Sequence, residues 1–177
     1  DYEALEESKK ELEELKAKDV QKKKELEPYK KQESDDYHRF LSDKEHKQLV
    51  FYSEGSGFYK YLAGIIDYVL KHSDIVIHYI TSDPKDAVFS MNEHKLKPYY
   101  IGEMKLITLM MKMDADMVIM TMPDLETYHI KRSLVRKDIE YIYPDHGVSS
   151  DNMTLRTHAL DHFDTLFCAG PHQMEEA

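Results

Sequence analysis

Gln48-Leu49-Val50-Phe51-Tyr52-Ser53-Glu54-Gly55-Ser56-Gly57 is the stretch that sets the architecture of this chain. Its first half is mostly apolar, β-branched or aromatic, the composition of a buried strand, and its second half is a small-residue turn. In the run that follows, over 58–72, apolar side chains fall at Tyr61, Leu62, Ile65, Ile66, Val69 and Leu70, the spacing of an amphipathic helix. Strand, turn and helix in that order open a βαβ unit. The turn carries neither G-x-G-x-x-G nor a Walker lysine. Two readings of it stand: a tight turn whose glycines supply unusual dihedrals, or a loose phosphate cradle with Ser53, Glu54 and Gly55 at its mouth.

Working outward, the stretches 74–80, 97–101, 116–120, 139–143 and 165–168 read as five further strands. Several are nearly continuous in apolar residues, which suits parallel strands covered on both faces. Helical spacing recurs over 103–113, a short helix is expected over 86–92, 152–161 reads as partly helical, and Gln173 opens another helix. The methionines of 103–113 are expected to serve as adaptable core. The fold class is therefore α/β: a Rossmann-like parallel sheet with helices on both faces and right-handed crossovers. Strand ends then converge on one edge, bringing together Ser53, Glu54 and Gly55, then Thr121 and Pro123, then Asp145, His146 and Gly147, then Gly170, Pro171 and His172.

Residues 1–46 differ in kind from the rest: they hold no glycine, one proline, and many Glu and Lys. Leu5, Leu12 and Leu26 share one heptad register and Leu15 and Tyr29 another, but Asp19 and Lys22 interrupt them. A charged helical or weakly coiled-coil extension is expected, broken or kinked at Pro28, with the Rossmann-like domain occupying 47–177. Over the 177 residues the net charge is −10, and the basic residues form no patch, which argues against nucleic-acid binding. One cysteine, Cys168, excludes an internal disulfide and fits a reducing, cytoplasmic compartment. No apolar run reaches bilayer length. The chain starts at Asp1 and stops at Ala177 within an apparent helix, so it is expected to be a piece of a longer protein.

In Tyr141-Ile142-Tyr143-Pro144-Asp145-His146-Gly147 a strand runs into a proline that cannot continue it, and a histidine follows just past the strand's carboxyl end. Imidazole titrates near neutrality and can take a proton from an alcohol, or His146 is a turn histidine with a backbone partner. Asp145 is placed to orient it or raise its basicity. Lys131 and Arg132 are either phosphate contacts or a solvated pair. Ser149, Ser150 and Asp151 either bind polar groups or cap a helix. His172 lines the same edge. His158 and His162 stand four apart, but Ala159 fills the place where the zincin pattern needs glutamate, so no metal site is assigned and no cofactor is expected. Cys168 reads as buried core.

Met120-Thr121-Met122-Pro123-Asp124-Leu125, Ile130-Lys131-Arg132-Ser133, the stretch from Tyr141 to Gly147, and Phe163-Asp164-Thr165-Leu166-Phe167-Cys168-Ala169-Gly170-Pro171-His172-Gln173 together resemble the CDP-glycerol glycerophosphotransferase family, with Val50-Phe51-Tyr52-Ser53-Glu54-Gly55 as its opening strand. The resemblance covers the chain from about Gln48 to its end. It implies the N-terminal, acceptor-side half of a GT-B enzyme that moves glycerol phosphate, or a related polyol phosphate, from a CDP-linked donor to a cell-wall or surface-polymer acceptor. The donor would be held mainly by a second, C-terminal half. The family's catalytic histidine falls on His146, with Gly147 after it, and Asp145 replaces the aromatic or polar residue common before it. Lipid-linked acceptors imply peripheral contact with the inner face of the plasma membrane, as in teichoic acid synthesis. The alternatives are a non-catalytic Rossmann-like module that binds a partner on a helical stem, and a GT-B glycosyltransferase that uses a nucleotide sugar.

Overall fold

The computed structural model describes residues 2–147 and 155–176. A six-stranded sheet forms from β1 (Leu49–Ser53), β2 (Ile77–Thr81), β3 (Leu96–Tyr100), β4 (Met117–Met120), β5 (Glu140–Pro144) and β6 (Thr165–Phe167). All the pairings are parallel and the order is β3-β2-β1-β4-β5-β6. This is the Rossmann-like α/β arrangement that the alternation of apolar runs and helical spacing implies. The order reverses between β1 and β4, and the two chain directions leave a crevice there, beyond the carboxyl ends of the strands.

Helices α1 (Tyr2–Leu26), α2 (Lys30–Ser42), α3 (Tyr59–His72), α4 (Glu103–Met111) and α5 (Pro171–Glu176) complete the described chain. Two apolar layers flank the sheet. On one face Leu62 and Ile66 of α3 pack on Leu49, Phe51, Ile77, Tyr79, Ile119 and Ile142. On the other, Phe40 of α2 and Leu106, Leu109 and Met110 of α4 pack on Val50, Tyr52, Ile80, Tyr99, Val118 and Tyr141. Strand residues alternate between these layers because successive side chains point to opposite faces. Pro144 fits at the end of β5 because pairing with β4 stops at Ile142, so its missing N–H interrupts no ladder on that side.

The sequence places 1–46 outside the domain, yet α2 is built into it. Phe40 is 1 % exposed and meets the rings of Tyr99 at 5.2 Å and His78 at 6.0 Å. Asp36 accepts the Tyr100 N–H at 2.8 Å and Glu33 accepts that of Gly102 at 3.0 Å. A Cβ at position 102 would run into the Glu33 carboxylate, which would have to shift to make room. Arg39 donates to the Pro98 carbonyl and stacks on Tyr99 at 4.0 Å. The extension proper is α1, whose Leu5, Leu12 and Leu15 are exposed, followed by a 3-10 turn, Glu27–Tyr29, with Pro28 inside it.

Buried behind α2, His78 of β2 shares its Nδ1 with the Tyr99 hydroxyl at 3.0 Å and stacks on that ring at 5.8 Å. Burial, then Lys47 and Lys97, push its pKa down to about 4, against a weaker pull upward from Asp43 and Glu45. The stretch 86–92 forms a 3-10 turn, Ala87–Ser90, in place of a helix, with the Asp86 carboxylate accepting the Val88 N–H at 3.1 Å. Residues 155–161 form turns where helix was expected, and His158 takes φ 68, which excludes an α-helix there. Residues 152–154 of that stretch lie outside the described residues.

Candidate functional site

Three strand ends meet at the crevice. Thr121, one residue past β4, donates its N–H to the Tyr52 carbonyl at 3.3 Å, which holds the end of β4 against that of β1. Asp145 N–H donates to the Phe167 carbonyl at 2.9 Å and extends the β5–β6 ladder by one residue. His146 is thereby carried just beyond the sheet, half-buried, against the start of α3. Its ring lies 4.8 Å from that of Tyr61, 5.6 Å from that of Phe58 and 5.9 Å from that of Tyr143.

The His146 Nδ1 stands 3.1 Å from the Pro144 carbonyl oxygen. A carbonyl can only accept, so Nδ1 carries the proton and neutral imidazole keeps its lone pair on Nε2. The aromatic packing and this backbone bond fix the ring; Asp145 does not. The Asp145 Oδ1 accepts the Gly147 N–H at 2.9 Å, and its Oδ2 is buried with no hydrogen-bond partner among the described residues. The Asp145 carboxylate is thus committed to the turn, while the imidazole is held by the Pro144 carbonyl. Gly147 is held from a second direction: its carbonyl accepts from Gln173 Nε2 at 3.1 Å. The same fully buried amide accepts the Ala169 N–H at 2.7 Å and the Gly170 N–H at 3.2 Å. Gln173 thus joins the turn after β6 to the turn after β5.

Glu54, first after β1, is half-buried between His146 and the crevice. Burial pushes its carboxyl above the ordinary carboxylate range; His146 and the Thr121 hydroxyl pull it back and Glu103 pushes it further. The Thr121 hydroxyl is fully buried and reaches Glu54 without a hydrogen bond of good geometry. On the α4 side of Glu54 a cleft of about 530 Å³ opens, lined by Glu103, Met104 and Ile107 from α4 and by Met122, Asp124 and Tyr128 from the segment after β4.

The remaining residues picked out from sequence lie in varied places. Ser53 is buried and donates to the Gly55 carbonyl at 2.8 Å. Gly55 is fully extended, a conformation open to any residue. The Ser56 N–H beside it is turned to the Asp83 carboxylate at 3.4 Å. Burial acts to raise Asp83, but the N–H groups of Lys85 and Ser56 outweigh it and hold this carboxyl below its ordinary value. An anionic side chain therefore occupies the loop, which favours the tight turn over a phosphate cradle. Arg132 lies near the amino end of β5, away from His146. It donates to the Ile139 carbonyl at 2.9 Å and the His162 carbonyl at 2.8 Å, and pairs with Asp164 at 2.9 Å. Lys131 donates to the Glu126 carbonyl. Both basic residues are thus internal braces. His172 is exposed at the start of α5, and Ser149, with Ser150 and Asp151, lies outside the described residues.

His158 pairs with Asp161 at 2.6 Å on the turn, and among the described residues no three His, Cys, Asp or Glu side chains cluster to hold a metal. Cys168 follows β6 and is only half-buried. Among the described residues no helix is long and apolar enough to cross a membrane.

No protein family, curated protein or solved structure matches this chain.

Sequence reasoning missed Gln173, Tyr61 and Phe58. The Gly-Pro-His-Gln turn signalled a helix start but not a side chain that reaches back to Gly147. The two aromatics read as one stripe of α3 and its approach, and only the sheet order brings them to His146.

Proposed function

We propose that this chain is the acceptor-side half of a transferase that moves glycerol phosphate, or a related polyol phosphate, from a CDP-linked donor to a surface-polymer acceptor. The observation that carries the reading is the Nδ1 contact of His146 with the Pro144 carbonyl. It leaves Nε2 free to take the proton of an acceptor hydroxyl as that oxygen attacks the donor's β-phosphate, and the P–O bond to CMP breaks in the same step. The motif resemblance supplies the donor class, and the position at strand carboxyl ends supports a ligand-handling role. In this reading the donor nucleotide is gripped by a second α/β half and the acceptor is presented at the inner face of the plasma membrane. The carboxyl in electrostatic contact with His146 is Glu54. Asp145 shapes the His-Gly turn.

The test is transfer from CDP-glycerol to a lipid-linked polymer by the protein that carries this chain. His146→Ala is expected to lower turnover by about 10²–10⁴-fold, the usual worth of a positioned base. Unimpaired turnover in that variant would refute the assignment. His146 is half-buried and lies nearest the partly exposed rings of Tyr61 and Phe58, so the fold should tolerate the change, and circular dichroism checks that it does.

A further inference from the structure

The cleft on the α4 side of Glu54 has no part in the proton transfer assigned to His146. Its volume of about 530 Å³ lies within the range of small-ligand pockets. The walls are mainly apolar. Met104 is 81 % exposed at its mouth, far more than an apolar side chain needs to be, and with Met122 it gives a lining that can reshape around a ligand. Tyr128 stands at the rim, 57 % exposed, with Arg156 over its ring at 5.4 Å. The turn that presents it contains Asp124 and Glu126 at φ 65 and 66, a conformation unfavourable for non-glycine residues and concentrated at binding sites.

The polar groups narrow the ligand. Glu54, Glu103 and Asp124 border the cleft together with Arg156 and His129, so a phosphate or carboxylate inside it would face three acidic groups against a single arginine. Asp124 already pairs with Arg156 at 3.8 Å and Glu103 with Lys22 at 2.9 Å. No lysine or arginine pairs with Glu54 among the described residues, and burial disfavours its charged form, so the pull on a cation is weak. The buried Thr121 hydroxyl beside it lacks a well-formed hydrogen bond. An exposed aromatic ring, flexible apolar walls and hydrogen-bonding carboxyls with little net call for positive charge suit a molecule with a C–H face on one side and hydroxyls on the other.

We propose that this cleft binds a neutral sugar, its ring stacked on Tyr128 and its hydroxyls donated to Glu54 and Asp124. The proposal stands on the cleft itself and does not require the transferase reading.

The test is methyl NMR on the whole chain labelled at its ten methionines, with Met104 and Met122 assigned by Met→Leu variants. Methyl glucoside is the neutral probe, glucose 1-phosphate its anionic counterpart and glucosamine its cationic one. Methyl glucoside is expected to shift the Met104 and Met122 signals saturably, and glucose 1-phosphate to bind at least about tenfold more weakly through like-charge repulsion. Tyr128→Ala, at an exposed position that should not disturb folding, is expected to weaken the sugar by about tenfold through lost ring contact. Absence of saturable shifts, equal binding of the anionic probe, tighter binding of the cationic one, or unchanged affinity in Tyr128→Ala would each overturn the proposal. The readout is binding, so loss of the transfer reaction and loss of this site are separately visible.

Discussion

Acidification should destabilise the fold through His78. The residue is 1 % exposed, and its pKa falls from the ordinary 6.5 to about 4. Between these values the unfolded chain binds a proton that the folded protein excludes, so stability rises with pH across the window and is lost as pH falls from 6.5 towards 4. Each pH unit over which one proton is excluded is worth about 1.4 kcal/mol, so the full interval from 6.5 to 4 corresponds to about 3 kcal/mol. That is an upper bound, because Lys97, which helps to hold the ring neutral, is in part reached by solvent. Other groups titrate nearby. Asp43, Asp83 and Asp116 are held below the ordinary 3.8 and act at more acid pH. Glu54 is raised above its ordinary 4.5 and acts in the opposite sense, stabilising the fold as pH falls. These contributions are common to wild type and His78→Gln and cancel in the difference between them. With no tryptophan in the chain, urea unfolding is best followed by far-UV circular dichroism, at pH 7, 6, 5 and 4.5. Wild type should lose about 2–3 kcal/mol more than His78→Gln over that range. Parallel pH profiles for the two proteins would refute the placement of His78 as a buried neutral ring.

Two further perturbations test the framework. Phe40→Ala empties the contact between α2 and the sheet and should cost about 3–5 kcal/mol by urea unfolding; a loss below about 1 kcal/mol would mean that α2 is a loosely attached stem. Arg132→Ala removes donors to the carbonyls of Ile139 and His162 and the pair with Asp164, and should cost about 1–3 kcal/mol while leaving the transfer KM unchanged. Full stability with weakened donor binding would return Arg132 to the role of a phosphate contact.

The sheet was legible because its signal is collective: each apolar run is short, but six of them alternating with helical spacing admit few other arrangements. Strand order was not, since it depends on where each crossover lands. The reversal between β1 and β4 is what sets Glu54 beside Thr121. The placing of α2 failed for a definable reason. Its sequence, rich in Lys, Glu and Asp, reads as a solvated helix, and a single Phe40 gives no stripe. Its attachment runs through Asp36 and Glu33 to backbone N–H groups, which carry no sequence signature. The same limit hid the state of His146, whose position followed from Pro144 but whose tautomer is set by a main-chain carbonyl. Adjacency in sequence suggested Asp145 as its companion. The Asp145 carboxylate turns instead to the Gly147 N–H, and Glu54, ninety-two positions earlier, is the carboxyl in electrostatic contact with His146.

The grip of α2 on β3 has a colloidal consequence. An outermost strand ordinarily offers a row of free amides to any extended chain that drifts alongside, and such offers are how folded domains begin to aggregate. Here Asp36 and Glu33 have claimed the amides of Tyr100 and Gly102, Pro98 has none to give, and Arg39 holds the carbonyl of Pro98. The margin is closed by acids that are themselves paired, Asp36 with Arg39 at 2.8 Å and Glu33 with Lys105 at 3.2 Å, so two copies of this domain meeting at β3 would find those amides already taken. Removing either acid would free an amide on that margin and give a passing chain its foothold.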